Sequence, residues 1–162
     1  MRCFIPLTPA DLPADQPAAF AAGARGFADT PALQSVLADY DQEEREFAAC
    51  LAAGDYSALA VAALAPGHGA LAGEGQTVYR RVVVAVDAPA TPVAQAEVPG
   101  EVTLDAPVRW QQAVAILMDE EAAETLVASA HEQESLDALE DYDLLWFDIT
   151  ERHRLCAELG FH

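Results

Sequence analysis

Carboxylates that follow two apolar segments are the residues of this sequence best suited to hold a metal ion. Asp87 follows the segment VVVAV, and Asp119 follows VAILM and precedes Glu120. Hard cations such as Mg²⁺ and Mn²⁺ prefer several oxygen ligands on rigid supports, which strand ends supply. One hypothesis is therefore a divalent-metal-dependent enzyme with Asp87, Asp119 and Glu120 as its metal ligands.

The relative direction of the two predicted strands decides whether Asp87 and Asp119 can meet. Parallel strands would place both carboxylates at one edge of the sheet, whereas antiparallel strands would separate them by about 17 Å. Residues 88–107 show no helix pattern, which disfavours a parallel crossover, although an intervening extended segment could restore the parallel direction. The alternative interpretation is that both residues end strands and cap helices.

The cysteines and histidines form no recognisable catalytic or zinc-binding pattern. Cys3, Cys50 and Cys156 are far apart, and no CxxC, HExxH or GxSxG motif occurs. We predict three reduced thiols, with Cys50 buried in a helix. A dyad of Cys156 and His153 has helical spacing, but no oxyanion-binding element is recognisable beside it.

The charge of the chain favours basic partners over nucleic acid. The 162 residues include 27 acidic residues and eight Arg but no Lys, which gives a net charge of −19. Without Lys, Schiff-base chemistry and a Walker-type phosphate lysine are excluded. Basic residues cluster only at Arg80–Arg81 and at Arg152 and Arg154, so direct binding of nucleic acid or an anionic membrane is disfavoured. The acidity fits a solvated surface, a basic protein partner or a mimic of a phosphate backbone.

Length and apolar content predict a single globular domain over residues 1–162. Hydrophobic residues make up 52% of the chain. No apolar run reaches the roughly 18 residues of a membrane span, and the first residues do not read as a signal peptide. We expect a cytoplasmic protein with no cofactor, apart from the Mg²⁺ or Mn²⁺ that the carboxylate hypothesis would require.

The apolar pattern predicts one mostly central sheet of four to five strands packed with helices, in an α/β or α+β architecture. Extended segments are indicated by β-branched runs and alternation at 2–7, 26–29, 77–87, 101–104, 108–110 and 114–118. The segment from Asp119 to Glu121 is expected to open a helix that reaches about His131.

One long helix is predicted near residues 42–64, because Asp41 and Glu44 have the spacing of a capping box. Its buried stripe is expected to hold the residues that recur at helical spacing: Phe47, Leu51, Gly54, Ala58, Val61 and Ala65. The small residues Gly54 and Ala58 would let another backbone approach closely, inside the protein or in a second copy of the chain. A homo-oligomer is therefore compatible with the sequence.

Two further segments, LLWFDI and APGHGALAGEGQ, are less specific. For LLWFDI we expect a helix over residues 144–158 capped by Asp143, with Trp146 packed in the core. A strand over residues 144–149 is the alternative, since short apolar runs are ambiguous. APGHGALAGEGQ, residues 65–76, lacks the Walker signature and is expected to be a flexible connector.

Five segments spread along the chain carry a family resemblance. They are RCFIPLT, DQEEREFAACLAA, RRVVVAVDAP, VAILMDEEAA and DYDLLWFDITE. Taken in this order, they resemble an uncharacterised actinobacterial family of small cytosolic proteins, a domain of unknown function. The resemblance implies a cytosolic, single-domain bacterial protein, and it brings no activity or catalytic residue with it.

These patterns predict a non-enzymatic protein-interaction or regulatory domain that meets a basic protein partner through acidic helical surfaces. Those surfaces are the carboxylate-rich stretches Asp39–Glu46, Asp119–Glu124 and Glu132–Asp143. An interaction surface requires an apolar centre inside the acidic rim. The alternatives make other demands: a metal-dependent enzyme needs Asp87 and Asp119 close together, and a nucleic-acid mimic needs carboxylates in phosphate-like rows.

Overall fold

One open sheet of seven antiparallel strands organises the fold, as shown by a computed structural model that describes residues 1–64 and 78–161. The strands are β1 (Arg2–Leu7), β2 (Arg25–Ala28), β3 (Val82–Asp87), β4 (Ala90–Pro92), β5 (Glu101–Leu104), β6 (Ala113–Met118) and β7 (Leu145–Asp148). Their order across the sheet is β4-β5-β2-β1-β3-β6-β7, and every pair is antiparallel. The predicted mixture of helix and sheet is confirmed.

The predicted count of four to five strands is wrong because the two edge strands are short and weakly patterned. β4 spans only three residues within a proline-rich connection, and β7 lies in the LLWFDI segment, where a helix was expected. β3 begins at Val82 rather than at residue 77, and Trp110 begins a 3₁₀ turn instead of extending a strand. The expected connector over 65–76 lies outside the described residues.

Five α-helices lie in the described part of the chain: α1 (Pro31–Val36), α2 (Gln42–Ala62), α3 (Glu124–Ala128), α4 (Gln133–Ala138) and α5 (Arg152–Glu158). The predicted long helix is confirmed as α2, which begins at the predicted capping box. The Asp41 carboxylate accepts the Glu44 backbone N–H at 2.9 Å, and the Glu44 carboxylate accepts the Asp41 backbone N–H at 3.0 Å. None of the helices in these ranges is long and apolar enough to cross a membrane.

Both faces of the sheet are covered, and β3 shows the alternation that this requires. Val82, Val84 and Val86 point into one core, whereas Val83 and Ala85 point into the other. This is the two-residue period of a strand that is buried on both faces. The first core is closed by α5 and by the loops that follow β1 and β5, and the second core is closed by α1 and α2.

The buried face of α2 differs from the predicted stripe. Phe47 and Leu51 are 60% and 44% exposed, respectively. The second half of the stripe is buried as expected, except for Ala65, which lies outside the described residues. The sheet beneath α2 already presents large side chains, Phe4 and Phe27, so the helix packs against it through small ones: Ala49, Cys50, Ala53 and Ser57. Two bulky apolar side chains are therefore left on the surface of α2.

Ser57 ties α2 to the sheet by hydrogen bonds. Its hydroxyl donates to the Leu7 carbonyl oxygen at 2.6 Å and accepts the Val82 backbone N–H at 2.8 Å. Leu7 is the last residue of β1 and Val82 is the first residue of β3. The side chain is completely buried, so it satisfies two backbone groups that water cannot reach.

The helix expected over the LLWFDI segment is wrong, and the alternative strand is confirmed. Leu145–Asp148 pairs with β6 as β7, and α5 begins only at Arg152. A second capping box sets this boundary: the Asp148 carboxylate accepts the Thr150 backbone N–H at 2.9 Å, and the Glu151 carboxylate accepts the Asp148 backbone N–H at 3.1 Å. Because helical structure starts after Asp148, the apolar residues before it remain extended.

Candidate functional site

Asp87 and Asp119, the predicted metal ligands, lie at opposite ends of two neighbouring strands. β3 and β6 are antiparallel, and their register pairs Val82, the first residue of β3, with Met118, the last residue of β6. Asp87 ends β3 and Asp119 follows β6, so about one strand length, roughly 17 Å, separates them. The structure therefore does not bring the two carboxylates together.

Each of the two carboxylates has an arginine partner. Arg2 Nε donates to Asp87 Oδ1 at 2.8 Å on the surface, and this bond lowers the pKa of Asp87. Arg81 donates from Nη2 to Asp119 Oδ1 at 2.7 Å, and both of these side chains are buried. Glu120 is exposed before a 3₁₀ turn. Across residues 1–64 and 78–161, no three His, Cys, Asp or Glu side chains are grouped to hold a metal ion.

The three cysteines are free, as the sequence predicts, and all three are buried, as predicted for Cys50. Burial raises the pKa of Cys50 to about 12, against the opposing effect of the nearby Arg81 guanidinium. Burial also raises the pKa of Cys156, and His153 on the same helix is exposed. A thiol with a raised pKa is protonated at neutral pH and is a poor nucleophile. All three thiols pack among buried apolar residues.

A groove lies between α2 and the segment that leads into β7. Its volume is about 780 Å³, which is within the range of ligand-binding clefts. The sheet contributes Arg81 and Leu117 to its lining. The two walls are lined by residues of α2 and of the connecting segment: Phe47, Cys50, Leu51, Asp55, Leu139, Glu140, Tyr142, Asp143 and Leu144.

A second hollow, of about 670 Å³, lies on the other side of Phe47 and Leu51. It is lined by the connection between α1 and α2 and by the first turns of α2, and Tyr40 is half exposed in its wall. Because Phe47 and Leu51 line both hollows, they form a ridge between them. The two hollows and this ridge make one continuous surface along α2.

Trp146 extends the same apolar surface onto the edge of the sheet. β7 is the outermost strand on this side, and its register places Trp146 opposite Leu117. Residues directly opposite each other in an antiparallel pair share a face of the sheet, so Trp146 lies on the groove side. Its side chain is 62% exposed, and the prediction that it packs in the core is wrong. We call the whole surface the α2–β7 groove, defined by Tyr40, Phe47, Leu51, Leu117, Leu144 and Trp146.

Carboxylates border the α2–β7 groove. Six acidic residues line the two hollows: Asp41, Glu43, Glu44, Asp55, Glu140 and Asp143. Arg81 is the one basic residue among the described lining residues, and its charge is matched by Asp119 at 2.7 Å. The pKa of Asp55 is raised, first by burial and also by Glu140 and Asp137, although Arg81 opposes the rise. The groove therefore combines an apolar centre with a lining in which acidic residues outnumber basic ones.

Sequence reasoning missed this groove because it assigned Phe47, Leu51 and Trp146 to the core. Two signals in the sequence could have corrected the assignment. Small residues recur in pairs along α2, at 49–50, 53–54 and 57–58, and mark the buried face of the helix. The four-residue pattern from Asp148 to Glu151 is a capping box that starts a helix after LLWF and leaves that segment extended.

Comparison with known proteins identifies a family and no activity. A family model described as a family of unknown function (DUF6912) matches residues 1–156. This range contains α2, β7 and every residue that defines the α2–β7 groove. No curated protein and no solved structure matches the chain. The chain thus belongs to DUF6912, a family of unknown function, as the order of its segments indicated.

Proposed function

We propose that this chain is a non-enzymatic protein-interaction domain that binds a basic, amphipathic segment of a partner protein in the α2–β7 groove. The observation that carries the proposal is the exposure of Phe47 and Leu51 inside a border of carboxylates, with the exposed Trp146 beside them on the outermost strand. A contiguous apolar patch with a polar rim marks a surface that another molecule covers. Aromatic residues at the centre of such a patch are typical of protein interfaces.

The border of carboxylates selects the charge of the partner. Six acidic residues line the hollows, and the chain as a whole carries a net charge of −19. Complementary charge accelerates association and repels partners of the same sign. Lys and Arg also carry long aliphatic stems that lie along apolar surface while their charged ends reach the rim. An alternation of apolar and basic side chains is therefore the chemistry that this groove fits.

The proposal is tested by titrating the chain with a short synthetic peptide in which Lys alternates with Val, monitored by tryptophan fluorescence. The chain has two Trp residues, of which Trp110 is 9% exposed and Trp146 is 62% exposed. Docking in the groove therefore changes the emission of Trp146. We expect saturable binding that weakens as salt is added, because screening reduces the attraction of the rim.

A matched pair of variants makes the titration specific. Phe47→Ser removes the central apolar contact, and we expect binding at least about tenfold weaker. Val36→Ser is the control, because Val36 is 64% exposed but lines neither hollow. Equal affinities of the two variants would contradict the proposal.

The same titration separates this function from a mimic of a phosphate backbone. A mimic binds through its carboxylates alone, so Glu140→Gln with Asp143→Asn would weaken binding while Phe47→Ser would not. The interaction domain needs both the rim and the apolar centre. We therefore expect both sets of substitutions to reduce the affinity for the peptide.

A further inference from the structure

We infer that the partner's basic segment binds as an extended strand along the free edge of β7, with some of its apolar side chains in the α2–β7 groove. This inference rests on the proposed function and adds the backbone conformation of the bound segment. It follows from three features of β7: its open edge, its lack of the prolines that keep an edge strand from pairing with another chain, and the carboxylates at its two ends.

Among the strands of the described residues, β7 has a neighbour on one side only. It is the last strand in the order of the sheet, and its four residues pair with β6. An antiparallel strand directs its backbone N–H and C=O groups alternately to both sides. On the outer side of β7, no other described strand accepts or donates these bonds. Such a row of unpaired groups is a template for a strand from another chain.

The two edges of the sheet differ in how they are protected. β4, at the opposite edge, spans only three residues, follows Pro89 and ends at Pro92. Proline and short length are the usual means by which an edge strand avoids pairing with another chain. β7 contains no proline, and its exposed positions Leu145 and Trp146 are apolar. Within residues 1–64 and 78–161, the edge that borders the groove is thus the one that remains open.

The charges around β7 describe the segment that would pair with it. Asp143 is exposed just before the strand, and Asp148 is its last residue. The residues between them are apolar. An added strand lies beside these residues in register, so its central side chains alternate between Trp146 with the groove on one face and Leu145 on the other, and its ends meet the carboxylates. The complementary segment is apolar at its centre and carries Lys or Arg at both ends.

A second copy of this chain fits the same edge less well. Pairing of two β7 strands would bring the carboxylates at the ends of one strand close to those of the other. Each copy also carries a net charge of −19, which opposes association. A basic partner segment removes both penalties, so the charges favour it over a homodimer.

Backbone N-methylation of the peptide tests the inference without changing any side chain. The probes are a peptide with a Val-rich centre and Lys at both ends, and two versions in which alternate backbone nitrogens, odd or even, are methylated. Only one edge of an added strand faces β7, so methyl groups on that edge block pairing. We expect one methylated version to bind like the parent peptide and the other to bind at least about tenfold more weakly.

Each outcome distinguishes strand addition from the groove function on which it rests. If both methylated peptides match the parent, strand addition is overturned and groove binding stands. If neither this parent peptide nor the peptide in which Lys alternates with Val binds, the proposed function fails, and this inference fails with it. If only the alternating peptide binds, the groove function stands and strand addition at β7 is overturned. If the chain alone doubles its mass on sedimentation, with slowed hydrogen exchange confined to β7, a second copy occupies the edge and the inference is overturned.

A pair of exposed leucines supplies the matched control in the chain. Leu145→Lys places a positive charge on the open edge, and we expect it to weaken binding of the parent peptide by about tenfold or more. Leu59→Lys adds the same charge at a position that is equally exposed, 43% against 41%, but lies on α2 and lines neither hollow. Equal affinities of the two variants would contradict strand addition at β7.

Discussion

Arg81 and Asp119 show, at the scale of single residues, how a carboxylate that follows a strand can serve the fold rather than a metal ion. Arg81 Nε and Nη2 both donate to the Asp119 carboxylate, and the Arg81 backbone N–H donates to its Oδ2 at 2.7 Å. Arg81 Nη2 also donates to the Tyr142 carbonyl oxygen at 2.9 Å. The pair therefore ties the start of β3, the end of β6 and the connection to β7 together.

Asp119→Asn is expected to lower the free energy of unfolding by about 3–5 kcal/mol, because it leaves the buried Arg81 guanidinium without its counter-charge. Asp87→Asn is the control, since Asp87 is 59% exposed in its ion pair with Arg2 and surface pairs contribute at most about 1 kcal/mol. Urea unfolding measures both. Similar small losses in the two variants would contradict the structural role of Asp119.

Asp55 gives a prediction with a defined pH dependence. Burial raises the pKa of this carboxyl in the folded protein. Between the unfolded and folded pKa values the folded state binds more protons, so the stability contribution of Asp55 falls as pH rises through that window. Its charge is therefore unfavourable at neutral pH.

Asp55→Asn is accordingly expected to raise the melting temperature at pH 7, and the gain should vanish below the unfolded Asp pKa of about 3.9. Thermal melts across this pH range measure the effect. Asp39→Asn, at an exposed position, corrects for the loss of one negative charge from an acidic chain. A gain at pH 7 no larger than that of Asp39→Asn would show that the environment of Asp55 is not unfavourable.

At the scale of elements, some features of the helices and strands follow from local sequence patterns, whereas others depend on packing between distant parts of the chain. The start of α2 was predictable because Asp41 and Glu44 bond each other's backbone whatever surrounds them. β3 was predictable at its core because a β-branched run suits a strand buried on both faces. The buried side of α2 was harder to predict, because the spacing of Phe47 and Leu51 and the recurrence of small residues indicate different faces. The choice between them depends on Phe4 and Phe27 in the sheet, which are distant in sequence.

The candidate site was less predictable than the fold. An acidic rim with an apolar centre was expected in general terms, but its centre depends on Phe47 and Trp146 being exposed, which helical spacing and hydrophobicity both argued against. Whether Asp87 and Asp119 lie close together depends on the relative direction of their strands. That direction follows from the order of the whole sheet, which the sequence does not show. A short apolar run such as LLWFDI has too few residues to distinguish the 3.6-residue period of a helix from the two-residue period of a strand.

Ser57→Ala tests how α2 is fixed to the sheet. The substitution leaves the Leu7 carbonyl oxygen and the Val82 backbone N–H without their partner in a buried setting. We expect a loss of about 1–3 kcal/mol in the free energy of unfolding, measured with urea. Ser35→Ala on α1, where Ser35 is exposed, is the control. An equal, small effect in both would mean that the hydroxyl does not hold the two strands.

At the scale of the whole molecule, the separation of Asp87 from Asp119 predicts the response to divalent cations. A site that spans both carboxylates would add about 2.7 kcal/mol of stability when the metal is at a hundred times its Kd. We expect millimolar Mg²⁺ or Mn²⁺ to raise the melting temperature no more than a monovalent salt of matched ionic strength, which screens the charge of −19. A metal-specific rise that disappears in Asp87→Ala would contradict this.

The net charge also sets what the apolar surface can bind. Negative charge lies over much of the chain, whereas the exposed aromatic side chains Phe47 and Trp146 belong to one surface beside the open edge of the sheet. A basic peptide attracted by charge alone would contact acidic residues wherever they occur. A peptide that docks by shape and charge together would concentrate in the α2–β7 groove.

The most direct test of the interaction function is a map of backbone amide chemical shifts while the Lys and Val peptide is added. We expect saturable shifts that cluster around Phe47, Leu51, Leu144 and Trp146, with little change in the exposed acidic turn of α4 near Glu134. Shifts of similar size at Glu134 and at the groove would show non-specific attraction to an acidic surface. That result would contradict a binding site between α2 and β7.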